Sequence, residues 1–343
     1  MSWQRWLVTI VSFGASIGVS IFVVVSNWTE GAPLALPPVA HVLALCGALG
    51  EIGFRAVKMH LSASALRIPL DLPTSLRTCL AGDFGSAITP GRSGGEPARF
   101  LVLSEAGVPA TRAVVLLYSE LLLEMLTLAI LALSFAAIFS EEGRAVAAVA
   151  GVVGAYAITV LGFGIFGLLL ARRNASGPPP QWARYAGLDA GRWRTVQRAL
   201  RKVRSGVAVV HDVRWRVAGL ALFTSVLHVL SRLAILPALV LFVDPGAPIA
   251  QLILWPLALV YGATISPAPG GGGVVEVGFT AALGGAISDS ALGAALIWWR
   301  FYTFYLYILL GALAAGRTVM RALRSSERED EARRKSLDHG ANA

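Results

Sequence analysis

"ISPAPGGGGVVEVGF", residues 265–279, lies between two strongly apolar stretches late in the chain. Two prolines and four consecutive glycines break a helix, and an unwound backbone survives at membrane depth only where protein or a wet cavity covers it. The segment is therefore either a loop in water or the turn of a hairpin buried in protein. Which of the two it is decides the fold.

The bulk of the chain points to a membrane. Of 343 residues, 56% are apolar and 14% charged, and the mean hydropathy is +0.67. Six apolar runs are long enough to cross a bilayer, at roughly 6–26, 36–58, 110–139, 145–171, 217–243 and 290–317. The first is read as a retained span, since no small-residue cleavage site closes it. The net charge of +9 comes from cations that flank these runs: 11 of the 29 Lys and Arg fall in 172–216 and seven in 317–343. That is the positive-inside pattern rather than a nucleic-acid surface, and it predicts that both termini are cytoplasmic, with Arg5, Lys58, Arg67 and Arg77 on the same side. The segments "NWTEGAPLALPP", "SEEG" and "VDPGAP" carry acids and no Lys or Arg, which suits the opposite side. Cys46 and Cys79 support neither a disulfide framework nor a metal site, and no cofactor is expected.

Two apolar regions, 72–106 and 248–286, are interrupted by "AITPGRSGGEPARF" and by the opening segment. The count of crossings closes if both are re-entrant hairpins, the first from the cytoplasm and the second from outside. The order span, span, broken hairpin, span then occurs in 1–139 and again, inverted, in 140–320. The second span of each half carries ionisable residues four apart, Glu51 with Arg55 and His228 with Arg232. Pro90 follows Arg55 by 35 positions and Pro269 follows Arg232 by 37. The expected fold is all-α: six full spans plus two re-entrant broken-helix hairpins in an inverted-topology repeat, a design that puts a binding site near the midplane.

At the breaks, Pro90, next to Thr89 at the first hairpin tip, and then Pro267 with Pro269 each stop one half-helix. Gly91, Gly94 and Gly95, and likewise Gly270, Gly271, Gly272 and Gly273, let the chain turn back. The second half-helix then starts inside the protein with free N–H groups suited to an anion. Arg92 at the first tip can grip a phosphate, with Glu96 and Arg99 beside it. Glu276 after the second break either joins that site or caps its half-helix. Glu51, Arg55, Glu120, Glu124, Arg232 and Arg300 fall within spans. At about 2.5–3.5 kcal/mol each on insertion scales, they have to pair or face water. Glu120 and Glu124 lie on one helix stripe and need cations, for which Arg92, Arg99 and Arg232 are candidates. His228 reads as an interhelical hydrogen-bonding residue or a proton carrier. Arg300, in "WWRFYTFYLY", reads as an arginine snorkelling from an aromatic belt.

In 191–212, Trp193, Val196, Leu200, Val203, Val207 and Val210 recur at spacings of three and four between cations, which describes an amphipathic helix on an anionic leaflet or one packed on the cytoplasmic face. The tail 321–343 is polar and mixed in charge.

"TPGRSGGEPAR" followed by a Glu-bearing span, with "SPAPGGGGVVEVG" late in the chain, resembles the lysylphosphatidylglycerol synthase/flippase transmembrane family. That family includes the flippase half of the bacterial multiple peptide resistance factor and many stand-alone flippase-like proteins. The resemblance spans nearly all of 1–320 and implies a bacterial plasma-membrane protein that moves a lipid head group between leaflets. One departure stands out: the family's second motif reads more like P-T-P-G-G-x-G, whereas Ser266 and Ala268 precede the glycines here. Only a short tail follows residue 317, so a soluble aminoacyl-transferase domain, and enzymatic activity with it, is not expected.

The leading expectation is a translocator for an anionic or other polar-headed lipid, possible as a homo-oligomer, with membrane lipids and no nucleic acid as partners. An ion-coupled transporter of a small solute is the alternative, and an intramembrane lipid-modifying enzyme a third reading.

Overall fold

The computed structural model describes residues 35–89, 92–172, 213–263 and 271–316, with isolated positions such as Trp193 and Thr318. Every element among them is helical. In chain order these are α1 (Pro38–Ala65), α2 (Leu72–Ile88), α3 (Gly95–Glu105), α4 (Ala110–Ile138), α5 (Gly143–Arg172), α6 (Trp215–Leu233), α7 (Ile235–Val240), α8 (Ile249–Gly262), α9 (Val274–Leu283) and α10 (Asp289–Arg300). A π-helical turn over Phe301–Tyr305 carries α10 onward to Gly316.

Five helical stretches among the described residues are long and apolar enough to cross a bilayer: Pro38–Ala65, Ala110–Ile138, Gly143–Phe166, Trp215–Val240 and Asp289–Gly316. They coincide with five of the six expected spans, and the run at 6–26 lies outside the described residues. Large apolar side chains point outward from them, including Leu133, Ile158, Phe163 and Leu313, the inversion of a water-soluble surface that lipid contact allows. The fold is that of an all-α polytopic membrane protein.

Local sequence explains the ends. Pro38 opens α1, where its missing N–H costs nothing. Asp71 caps α2 by accepting from Thr74 N–H at 3.1 Å, and this hydrogen bond holds its carboxyl below the usual range. The break between α6 and α7 at Ala234 precedes Pro237, which has no N–H to give to the turn before it.

The four limbs of the two interrupted regions are short. At 1.5 Å per residue α8 and α9 span about 21 and 15 Å, and α2 and α3 about 25 and 16 Å, against a hydrocarbon core of about 30 Å. α2 packs along α3, and α8 against α9.

The glycines of the first turn act differently from the expectation. Gly94 has an ordinary φ of −83°, and the left-handed residue there is Arg92 at φ 56°. Gly94 and Gly95 serve close approach instead: a Cβ on Gly94 would meet Gly85 O at 2.7 Å, and one on Gly95 would meet Ser86 Oγ at 2.2 Å. In the second turn Gly271 and Gly273 do take positive φ, 70° and 82°, as the glycine run implies. Pro90, Gly91, Pro267, Pro269 and Gly270 lie outside the described residues, as do the tail and most of the loop helix. Trp193 of that helix is buried.

The central helix pair is α1 with α6. Ala40, Ala44 and Ala48 of α1 are fully buried, and a Cβ on Gly47 would meet Ser231 O at 3.0 Å, so small residues bring these two backbones together. Apolar packing gathers α7, α9 and α10 against the start of α1, gathers α2, α3 and the start of α4 against its end, and joins α4, α5, α6 and α8. Where these bodies adjoin, the packing turns polar.

Candidate functional site

A cavity of about 450 Å³ is lined by residues of α1 to α6 and α8 and of the first hairpin turn. Its charges come in ladders. Glu51, Arg55 and Lys58 share one face of α1; Glu120 and Glu124 share one face of α4; His228 and Arg232 share one face of α6. The first hairpin adds Asp83 from α2, Arg92 from the turn, and Glu96 and Arg99 from α3.

Two ion clusters form. In the first, Arg55 grips Asp83 through both terminal nitrogens, one of them at 2.9 Å, and its Nε lies 3.5 Å from Glu51 Oε1. Arg232 approaches the same oxygen at 3.8 Å and donates to the carbonyl of Thr303, inside the π turn, at 3.0 Å. Both guanidiniums sit over the Tyr307 ring, 5.7 and 5.5 Å from its centroid.

In the second cluster, Lys58 Nζ lies 2.8 Å from Glu124 Oε2 and 3.5 Å from Glu120 Oε2. Arg99 reaches Glu120 at 3.5 Å and Glu96 at 3.0 Å. Tyr261 donates to Glu124 Oε1 at 2.6 Å, and His228 Nε2 stands 3.5 Å from that oxygen. Glu51 and Glu120 are almost wholly shielded, at 0% and 2% exposure, yet none of their carboxylate oxygens accepts a hydrogen bond from the protein. Buried carboxylates in that state are high in energy unless water or a ligand group completes them. Arg92 has no ion-pair partner among the described residues.

Of the expected binding residues, Glu51, Arg55, Arg92, Glu96, Arg99, Glu120, Glu124, His228 and Arg232 all line the cavity. Glu276 does not. It caps α9 by accepting from Gly273 N–H at 2.8 Å and pairs with Arg300 at 2.9 Å. Arg300 is correspondingly buried, stacked 4.5 Å over Phe304, and does not snorkel. The second hairpin reaches the cavity through Val260 and Tyr261 of α8, not through Gly271, Gly272 or Gly273. Thr89 shapes the first turn: its hydroxyl donates to Gly85 O and accepts from Gly94 N–H at 2.7 Å.

The cations that hold Glu120 and Glu124 are Lys58 and Arg99, while Arg232 serves Glu51. Lys58 is the main correction. It is not a flanking charge at a span's end, because α1 continues to Ala65 and carries it inward. Its position one helical turn from Arg55 was the available signal. Asp83 was overlooked too, although an acid in the apolar run "CLAGDFGSA" raises the same question as Glu120.

No curated protein matches the chain. Residues 8–311, most of the length described above, match the model of the lysylphosphatidylglycerol synthase TM region, and the chain belongs to that family of membrane proteins.

Proposed function

We propose that this protein moves a polar-headed lipid between the leaflets of a bacterial plasma membrane, the head group passing through the charged cavity while the acyl chains stay in the bilayer. The lipid leaves unchanged, so this is transport and not catalysis. The observation that carries the reading is the cavity: ten charged side chains around about 450 Å³, inside an all-helical protein of a lipid-related membrane family. Apolar packing stabilises a bundle at least as well as buried ion pairs do, so charges at this density are better explained by a polar guest. The volume falls in the range of about 300–1,000 Å³ used for small-molecule sites.

Two further features support it. The short limbs of α2–α3 and α8–α9 fit hairpins that dip into the membrane from opposite faces. The corresponding second spans α1 and α6 form the central pair and each present their ionisable residues to the cavity, as an inverted repeat would. The Lys and Arg in 172–216 and in the tail favour cytoplasmic termini.

The test is reconstitution into liposomes carrying fluorescent anionic, zwitterionic or glycosylated lipids, with the outer leaflet quenched by an impermeant reductant. Protein-dependent quenching of the inner-leaflet pool of one class is expected, and Arg92→Ala and Glu120→Ala slow it. No movement of any class overturns the reading; uptake of a water-soluble solute in its place would favour the small-solute transporter.

A further inference from the structure

The cavity's charges balance in number but not in place. Five cations face five carboxylates. In the first cluster Arg55 and Arg232 meet Glu51 and Asp83; in the second Lys58 and Arg99 meet Glu96, Glu120 and Glu124; Arg92 lines the same cavity without an ion pair to either among the described residues. Counting the Lys, Arg and carboxylate side chains alone, the second cluster holds one surplus negative charge and Arg92 supplies one surplus positive charge. Arg92 is the surplus cation: it lines the cavity and has no ion-pair partner among the described residues.

We propose that an anionic head group enters at the Arg92 end together with one proton taken up at the Glu120–Glu124–His228 end, so that loading is electroneutral. This rests on the lipid-translocation reading above. An anion alone would leave a net charge in a low-dielectric interior, which is costly unless compensated. Anion plus proton neutralises each end separately. The proton comes from water on the loading side and returns to water on the other; no bond in the lipid forms or breaks.

The second cluster is suited to a proton and not to a bulkier cation. Lys58 Nζ already occupies the ammonium position between Glu120 and Glu124. Glu120 is shielded and lacks a hydrogen bond on either oxygen, with Lys58 and Arg99 each 3.5 Å away. Glu124 is held by Lys58 and Tyr261, and His228 beside it leaves Nδ1 without a partner. The other titratable groups lining the cavity near them are Glu96 on α3, Tyr156 on α5 and Cys79 on α2, with Arg55 and Glu51 further along α1 and Arg232 along α6. His228 Nε2 lies 3.5 Å from Glu124 Oε1, and Glu124 and Glu120 share Lys58, so the three proton-accepting groups adjoin one another at this end.

The experiment uses the full chain in phosphatidylcholine liposomes with a trapped pH dye, carrying fluorescent phosphatidylglycerol in one set and fluorescent phosphatidylcholine in the other. At one proton per lipid, each pH unit of imposed gradient biases the leaflet distribution of the anionic probe by up to about tenfold, and its movement is matched by proton movement. The zwitterionic probe is expected to show neither effect. Glu120→Gln is expected to abolish the gradient response, with Glu120→Asp restoring part of it; His228→Gln shifts the pH at which the response appears. Movement of the anionic probe without a gradient response overturns this inference and leaves translocation standing. An equal gradient response for the zwitterionic probe also overturns it. No movement of either probe at any pH overturns this inference; translocation itself falls only if the glycosylated probe also fails to move.

Discussion

Lys58 of α1 sets a single ammonium between two carboxylates of α4, 2.8 Å from Glu124 and 3.5 Å from Glu120. Its contact with Glu124 is the shortest ion pair between α1 and α4 among the described residues, and Lys58 lies almost out of reach of solvent, at 4% exposure. Removing one partner of a buried pair costs more than removing both, because the survivor keeps its charge without compensation. Lys58→Met is therefore expected to lower stability by about 3–5 kcal/mol, and the double variant with Glu124→Gln to recover part of that loss. Thermal unfolding in detergent measures both; a double variant no better than the single one would mean that water, not the pair, solvates these groups.

Arg55 and Asp83 join α1 to the first hairpin through a two-pronged contact. A double-mutant cycle with Arg55→Gln and Asp83→Asn is expected to give a coupling of about 0.5–3 kcal/mol. A value near zero would show that α2 is held by its apolar packing and close glycine contacts and not by this ion pair.

Gly85 abuts the turn so closely that an added Cβ would meet Gly94 O at 2.5 Å, whereas Gly151 on α5 has nothing within 4 Å. Gly85→Ala is expected to destabilise by about 1–3 kcal/mol through overpacking. Gly151→Ala should stabilise by about 0.4–1 kcal/mol through the unfolded chain. The two unfolding temperatures should move in opposite directions, and parallel shifts would contradict the packing assigned to the first hairpin.

Glu276 performs two tasks, one oxygen accepting from Gly273 N–H and the other from Arg300. Gln at 276 keeps an acceptor for the cap but loses the charge, while Ala loses both. Unfolding should therefore rank wild type above Glu276→Gln above Glu276→Ala, and transport should follow stability and not fall independently. A transport defect in a fully stable Glu276→Gln variant would return this residue to the site.

Much of this architecture was legible in the residues. Five spans were set by length and apolar density, and the spacing of four in Glu51/Arg55, Glu120/Glu124 and His228/Arg232 correctly predicted shared helix faces. Nine of the ten expected binding residues meet around one cavity. What the pattern could not supply was depth and partnership. Lys58 looked like a terminal cation because charge alone does not mark where a helix stops. Arg300 looked like an arginine snorkelling out of its span because its partner Glu276 is remote in sequence and reaches it only through the packing of α9. The glycines in "GRSGGEP" looked like torsional hinges, but Gly94 and Gly95 are needed for their missing side chains. Distinguishing these uses requires knowing which backbone lies opposite.

The π turn at Phe301–Tyr305 admits one residue more than an α-helix would, which rotates everything after it by about 100° about the axis. Tyr307 comes to lie beneath Arg55 and Arg232 because of that offset. Deleting a single residue from this turn would restore regular winding and swing the phenol ring away from both guanidiniums. The orientation of the final helix is thus encoded by one surplus position, as sensitive to a change in length as to a change in chemistry.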